Sequence, residues 1–148
     1  MARQVKLNAS AEDYLEAIFQ LVAEDGAART GEIARRLGVH KSTVTGALHA
    51  LADKGLVEYS PYSASVLTDR GRRVASEIVR RHDVLHRFLK DVLLLPDGLA
   101  EANACRIEHG LDREVVDRLV AFLESVADGE AREQWRDRFR PGGGKRAD

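Results

Sequence analysis

Only Gly38-Val39-His40 separate two short amphipathic runs, and this spacing constrains the chain more than any other feature. The first run, residues 30–37, has Thr30 as its expected N-cap and stops at Gly38; the second, residues 41–54, carries Val44, Leu48 and Leu51 on one face and closes at Gly55. Two helices joined by a tight glycine-containing turn predict a helix-turn-helix. Upstream, Tyr14, Leu15, Ile18, Phe19, Leu21 and Val22 recur at helical spacing after Ser10, predicting a helix over 11–24 that stops at Gly26. Downstream, residues 56–59 and 64–68 read as short strands around Ser60-Pro61-Tyr62-Ser63, a hairpin wing.

Beyond the wing the pattern is helical throughout. A long helix from Thr68 runs to the Pro96-Asp97-Gly98 punctuation, and two more fit 99–109 and 112–126, split by Gly110, with Asp112 as N-cap of the second. Aromatics are only 5% of the 148 residues and prolines number three, so the expected class is mainly α. The expected domains are a winged helix-turn-helix over 1–73, a helical domain over 74–127, and a tail over 128–148. The tail contains Trp135 and its last residues, from Pro141-Gly-Gly-Gly-Lys, are expected to be disordered. A single cysteine allows no internal disulfide, the N-terminus lacks the apolar stretch of a signal peptide, and the longest aliphatic cluster ends at Pro96, so a cytoplasmic chain without membrane contact is expected.

The formal charge of −1 argues against a nucleic-acid partner until it is resolved along the chain. Residues 28–73 hold eight basic side chains against four acidic, a net of +4, whereas residues 97–130 hold nine acidic against three basic, a net of −6. A basic module is joined to an acidic one, as suits a polyanion at one end and cations or a partner at the other. A recognition helix needs short polar or cationic side chains on its N-terminal turns, and His40, Lys41, Ser42, Thr43, Thr45 and Gly46 supply them. Arg35 and Arg36 on the preceding helix, with Tyr62 and Arg70 in and after the wing, are candidates for DNA backbone contacts. The bland alternative is that Ser42 and Thr43 only cap a helix and the arginines form a solvated face.

Cys105, Glu108 and His109 fall at i, i+3 and i+4 of an expected helix, so thiolate, carboxylate and imidazole share one side in a chelating arrangement. Asp13 and Glu16 share a face of the first helix, and His82 and His86 share a face of the long one. Each alone has an ordinary explanation: an acidic residue at a helix start, a solvated carboxylate, a packed histidine, a small buried thiol. His82-Asp83-Val84-Leu85-His86 resembles the zinc-protease helix pattern, yet aspartate stands where the catalytic glutamate belongs, and no enzyme is expected.

Taken in order, Ser10-Ala-Glu-Asp-Tyr-Leu-Glu-Ala-Ile, Glu32-Ile-Ala-Arg-Arg-Leu-Gly-Val-His-Lys-Ser-Thr-Val-Thr, Leu67-Thr-Asp-Arg-Gly, Arg81-His82 and Cys105-Arg-Ile-Glu108-His109 resemble the diphtheria toxin repressor and manganese transport regulator family. The resemblance covers about residues 10–126. It implies an operator-binding winged helix and a helical domain that dimerises and holds divalent metal, in the short form without an SH3-like domain. It also implies Asp13, Glu16, His82, Cys105, Glu108 and His109 as metal ligands, with His86 and Glu101 at an accessory position. Asp13 matches the manganese branch and Cys105 the iron branch. Manganese or iron(II) is the expected metal, with zinc or cobalt able to substitute in vitro. The competing reading is a dimeric winged-helix regulator that answers to a small molecule or protein partner without metal.

Overall fold

The computed structural model describes residues 6–139 and divides into two units, one ending at Val79 and the other beginning at Arg80. The mainly α architecture expected from the sequence is present. In the first unit α1 (Ala9–Asp25), α2 (Thr30–Leu37) and α3 (Lys41–Asp53) precede an antiparallel pair, β1 (Val57–Glu58) and β2 (Val66–Leu67), in the register Val57 to Leu67 and Glu58 to Val66. Ser65 extends the wing by donating its backbone N–H to the Ala28 carbonyl at 2.8 Å. α4 (Asp69–Arg87) then leads into the second unit, which holds the π-turn Phe88–Val92, α5 (Asp97–Ile107), the 3-10 turn Glu108–Gly110, α6 (Arg113–Ser125) and α7 (Gly129–Arg138).

One helix start and one cap differ from those expected. α1 begins at Ala9 rather than after Ser10, because the Asn8 side chain accepts the Ala11 N–H at 2.8 Å. Thr30 is not the cap of α2 but its first residue: Arg29 precedes it in extended backbone, and its N–H donates to Glu32 Oε2 at 3.2 Å. The stops fall where glycine signalled them, with Gly26, Gly38 and Gly55 all at positive φ.

Leu15, Ile18, Ile33, Val44, Leu48 and Leu56 are each fully buried in the core of the first unit, so the apolar stripes of α1, α2 and α3 converge. That packing turns the polar N-terminal face of α3 outward. The second unit has two clusters. Val84, Val92, Val116 and Leu123 form one, and Leu85, Leu89, Ala100 and Ala104 form the other, which sets α5 against the end of α4 and the π-turn. The small Ala100 and Ala104 leave room for close helix approach, which positions the polar face of α5 opposite the histidines of α4.

The expected single long helix to Pro96 stops at Arg87. Over Phe88–Val92 the ladder widens, with the Leu93 N–H donating to the Phe88 carbonyl at 3.1 Å, and Leu94 follows at φ 57°. Trp135 on α7 donates its indole N–H to the Val92 carbonyl at 2.9 Å, and Arg132 lies 3.4 Å from Asp91, so α7 fastens onto this turn. The tail thus contains a helix, and the expected disorder beyond Pro141 lies outside the described residues. No helix of the described residues is long and apolar enough to cross a membrane.

Candidate metal centre

In the second unit the acidic face of α5 meets a histidine face of α4. His82 and His86, one turn apart, hold their rings parallel at 6.3 Å, and Asp97, Glu101 and Cys105 follow one another at four-residue spacing along α5. His82 is buried, and both its ring nitrogens point at carboxylates: Nδ1 donates to Glu108 Oε2 at 2.6 Å and Nε2 to Glu101 Oε2 at 3.0 Å. Cys105 Sγ lies 3.8 Å from His82 Nδ1 and 4.0 Å from Glu101 Oε1. One donor atom from each of His82, Glu101 and Cys105 lies within 4.8 Å of the others, an arrangement that suits a metal ion.

Glu108 is fully buried, yet its Oε1 has no hydrogen-bond partner among the described residues; His109 Nε2 lies 3.5 Å away. Burying a carboxylate oxygen without a hydrogen bond costs on the order of 1–3 kcal/mol or more, so the position calls for a partner. A cation ligand is one, since imidazole, thiolate and carboxylate form a donor set for divalent transition metals. The residues therefore fit the group that the sequence implies.

The helix expected to carry Cys105, Glu108 and His109 ends at Ile107, and the last two ride on the 3-10 turn instead. The tighter winding still leaves both Glu108 Oε2 and Cys105 Sγ near His82 Nδ1, at 2.6 Å and 3.8 Å. Cys105 is exposed, which removes the reading of a small buried thiol. In the first unit Asp13 and Glu16 sit one turn apart on one face of α1, both half-buried, and Glu16 accepts from the Gln20 amide at 3.2 Å. His86 Nε2 donates to Asp97 Oδ1 at 3.1 Å and lies 3.8 Å from Glu101 Oε2. Sequence reasoning passed over Asp97 and Lys90; the signal was their four-residue offset from Glu101 and His86. The Lys90 ammonium beside Asp97 holds that carboxyl below its usual range.

Paired with Glu108 first and Glu101 second, and despite its burial, the His82 imidazole is pushed up to about 9. A raised imidazole pKa stabilises the fold fully below its unfolded value near 6.5, and that stabilisation is lost as pH rises through 9. With chelator present, the melting temperature is expected to fall between pH 7 and pH 9.5, the pair contributing on the order of 3 kcal/mol at neutral pH. A His82→Gln chain should lack that slope, and an equal slope in the two proteins would refute the assignment.

On the first unit, His40, Lys41, Ser42, Thr43 and Gly46 are exposed and Thr45 is half-buried, while Val44 and Leu48 face the core. Tyr62 stands fully exposed at the wing tip, with left-handed backbone at φ 64°. Arg35 is exposed. Arg36 is engaged, its guanidinium paired with Glu24 and 3.4 Å from Gln20 Oε1, and Arg70 places Nη1 3.4 Å from the Lys54 carbonyl at the end of α3.

Comparison with known proteins adds an independent line. Residues 6–65 match the family described as iron dependent repressor, N-terminal DNA binding domain, and residues 68–132 match iron dependent repressor, metal binding and dimerisation domain. The transcriptional regulator MntR of Geobacillus kaustophilus is 36% identical over 127 residues, covering 83% of this chain and 86% of its own length. An uncharacterised helix-turn-helix transcriptional regulator of Methanocaldococcus jannaschii is 35% identical over 123 residues, covering 82% of this chain and 98% of its own. A solved manganese-dependent transcriptional repressor in complex with manganese shares 34% identity at a TM-score of 0.70, over 77% of this chain and 52% of that one. The chain spans about half the length of this solved repressor and of the solved T. acidophilum IdeR, 52% and 56%.

Proposed function

The chain belongs to the iron-dependent repressor family, a DNA-binding domain followed by a metal-binding and dimerisation domain, and on that premise we propose that it is a homodimeric repressor of operator DNA switched by manganese or iron(II). The observation that carries the metal half is the buried Glu108 oxygen without a hydrogen-bond partner, beside His82, Cys105 and His109. Those four side chains would hold the metal, and the family resemblance implies Asp13 and Glu16 of α1 as two further ligands. A divalent cation bound there supplies the positive charge that offsets the carboxylates and a deprotonated Cys105.

Without that charge the Asp13, Glu16 and Glu108 carboxylates lack a divalent counter-ion, and the His82 imidazolium offsets that of Glu108. An ion that took ligands from both domains would couple metal binding to the placement of α3. The two recognition helices of a dimer are then held at one spacing, that of successive major grooves, so a roughly palindromic operator is expected. His40, Lys41, Ser42, Thr43, Thr45 and Gly46 enter the groove on this account, with Arg35, Arg36, Tyr62 and Arg70 set around them for the backbone.

Carboxylates suit manganese and the thiolate adds a softer donor for iron, cobalt or zinc. Fluorescence anisotropy on operator DNA is the test. Affinity should rise with added manganese or iron(II) and fall with chelator, and affinity indifferent to metal would end the proposal. Cys105→Glu should shift the preference towards manganese by tenfold or more relative to zinc; an unchanged preference would remove Cys105 from metal selection.

A further inference from the structure

Along α1 the side chains of Glu16, Gln20 and Glu24 follow one another at four-residue spacing and share one face of the helix. Arg36, on the last turn of α2, reaches across to that face: its Nη1 donates to Gln20 Oε1 at 3.4 Å and to Glu24 Oε1 at 3.3 Å. Gln20 in turn donates from Nε2 to Glu16 Oε1 at 3.2 Å. A hydrogen-bonded chain therefore runs from Arg36 through Gln20 to Glu16, wholly within the first unit. Its outer end is exposed, whereas Gln20 and Glu16 are half-buried.

The order of groups in this chain dictates what can stand in the middle. A guanidinium only donates and a carboxylate only accepts, so the side chain between them must accept on one side and donate on the other. A carboxamide does both. A glutamate at position 20 would set a second carboxylate one turn from Glu16, and a lysine would set an ammonium against Arg36.

We infer that Gln20 is a positioning residue for the metal centre: it holds one oxygen of the Glu16 carboxylate, is itself held by Arg36 of the helix-turn-helix, and so sets how tightly metal binds. This rests on the reading of Glu16 as a ligand given above. Hydrogen-bond partners of ligating groups typically set metal affinity by about 10- to 100-fold, because they orient the ligand before the ion arrives. An ordinary surface network is the competing explanation. The Arg36–Glu24 pair at its outer end is solvent-exposed and contributes little to stability, which makes metal affinity the decisive readout.

Manganese affinity of the full chain is measured without DNA, by competition with a fluorescent chelator. Gln20→Met keeps the length of the side chain and removes the amide, and it should weaken manganese binding by about tenfold or more. In a Glu16→Gln chain, itself weakened, adding Gln20→Met should cost nothing further, whereas a merely structural role would cost the same in both backgrounds. Arg36→Met, a change on the exposed surface that serves even if Gln20→Met misfolds, should weaken binding in the wild type and have no effect beside Gln20→Met. In chelator, the side-chain amide resonances of Gln20 should shift with either Glu16→Gln or Arg36→Met. Equal affinity in wild type and Gln20→Met, with Glu16→Gln weakened, would overturn the role of Gln20 and leave Glu16 a ligand, as would an equal loss in the two backgrounds. A Glu16→Gln chain that binds manganese as the wild type does would overturn the reading of Glu16 as a ligand, and this inference with it.

Discussion

Glu108→Gln is expected to leave operator binding at its metal-free level whatever the metal concentration. Coupling between an effector site and a binding site in proteins of this size is typically about 5- to 150-fold, and the whole of that gain should vanish. The substitution keeps side-chain volume, which matters at a fully buried position, and an amide can still accept from His82 Nδ1. What it removes is the charge on a buried carboxylate oxygen that has no hydrogen-bond partner among the described residues. Anisotropy titrations with manganese, read beside circular dichroism in chelator, separate the outcomes. A folded variant that still tightens on DNA when metal is added would show that Glu108 is not the ligand on which the switch depends. Since His82 also loses its principal charge partner, the variant should lose the stability slope between pH 7 and pH 9.5 as well.

The residues of this centre were legible in the sequence because helical spacing is a local rule. Cys105, Glu108 and His109 at i, i+3 and i+4 point the same way over so short a stretch whether the turn is α or 3-10, so ending α5 at Ile107 did not scatter them. The pairing of His82 with Glu108 and Glu101 was not legible from spacing. It depends on Ala100 and Ala104 letting α5 approach the end of α4, a tertiary fit with no periodic signature. The π-turn was hidden for a different reason. Phe88 to Leu95 is apolar at six of eight positions, so no period could tell where the helix ladder shifts. α2 and α3 were the most legible elements, since Gly38 and Gly55 mark backbone that must turn left-handed.

Gly71→Ala is expected to be the most destabilising single-methyl change in the DNA-binding unit. A Cβ built on Gly71 falls 1.8 Å from the Leu56 carbonyl oxygen and 2.8 Å from its carbon, and backbone atoms cannot swing aside as a side-chain tip can. The close approach is fixed from both sides: Thr68 N–H donates to that same Leu56 carbonyl at 3.1 Å, Thr68 Oγ1 donates to the Gly55 carbonyl at 2.7 Å, and Gly71 N–H donates to Thr68 Oγ1 at 2.9 Å. Making room requires a separation of about 1.5 Å, enough to break this network and to open the core around the fully buried Leu56. The cost should be about 3 kcal/mol or more, and the melting temperature should drop by roughly 10 °C or more. Gly98→Ala is the matched control, because its Cβ meets nothing within 4 Å and it lies in the first turn of α5, where alanine should be neutral or slightly stabilising. If the two variants melt alike, the start of α4 yields more readily than this geometry allows. If they differ as expected, the juncture at Leu56 and Gly71 is a fixed point that anchors the wing to α4, and with it the placement of Tyr62.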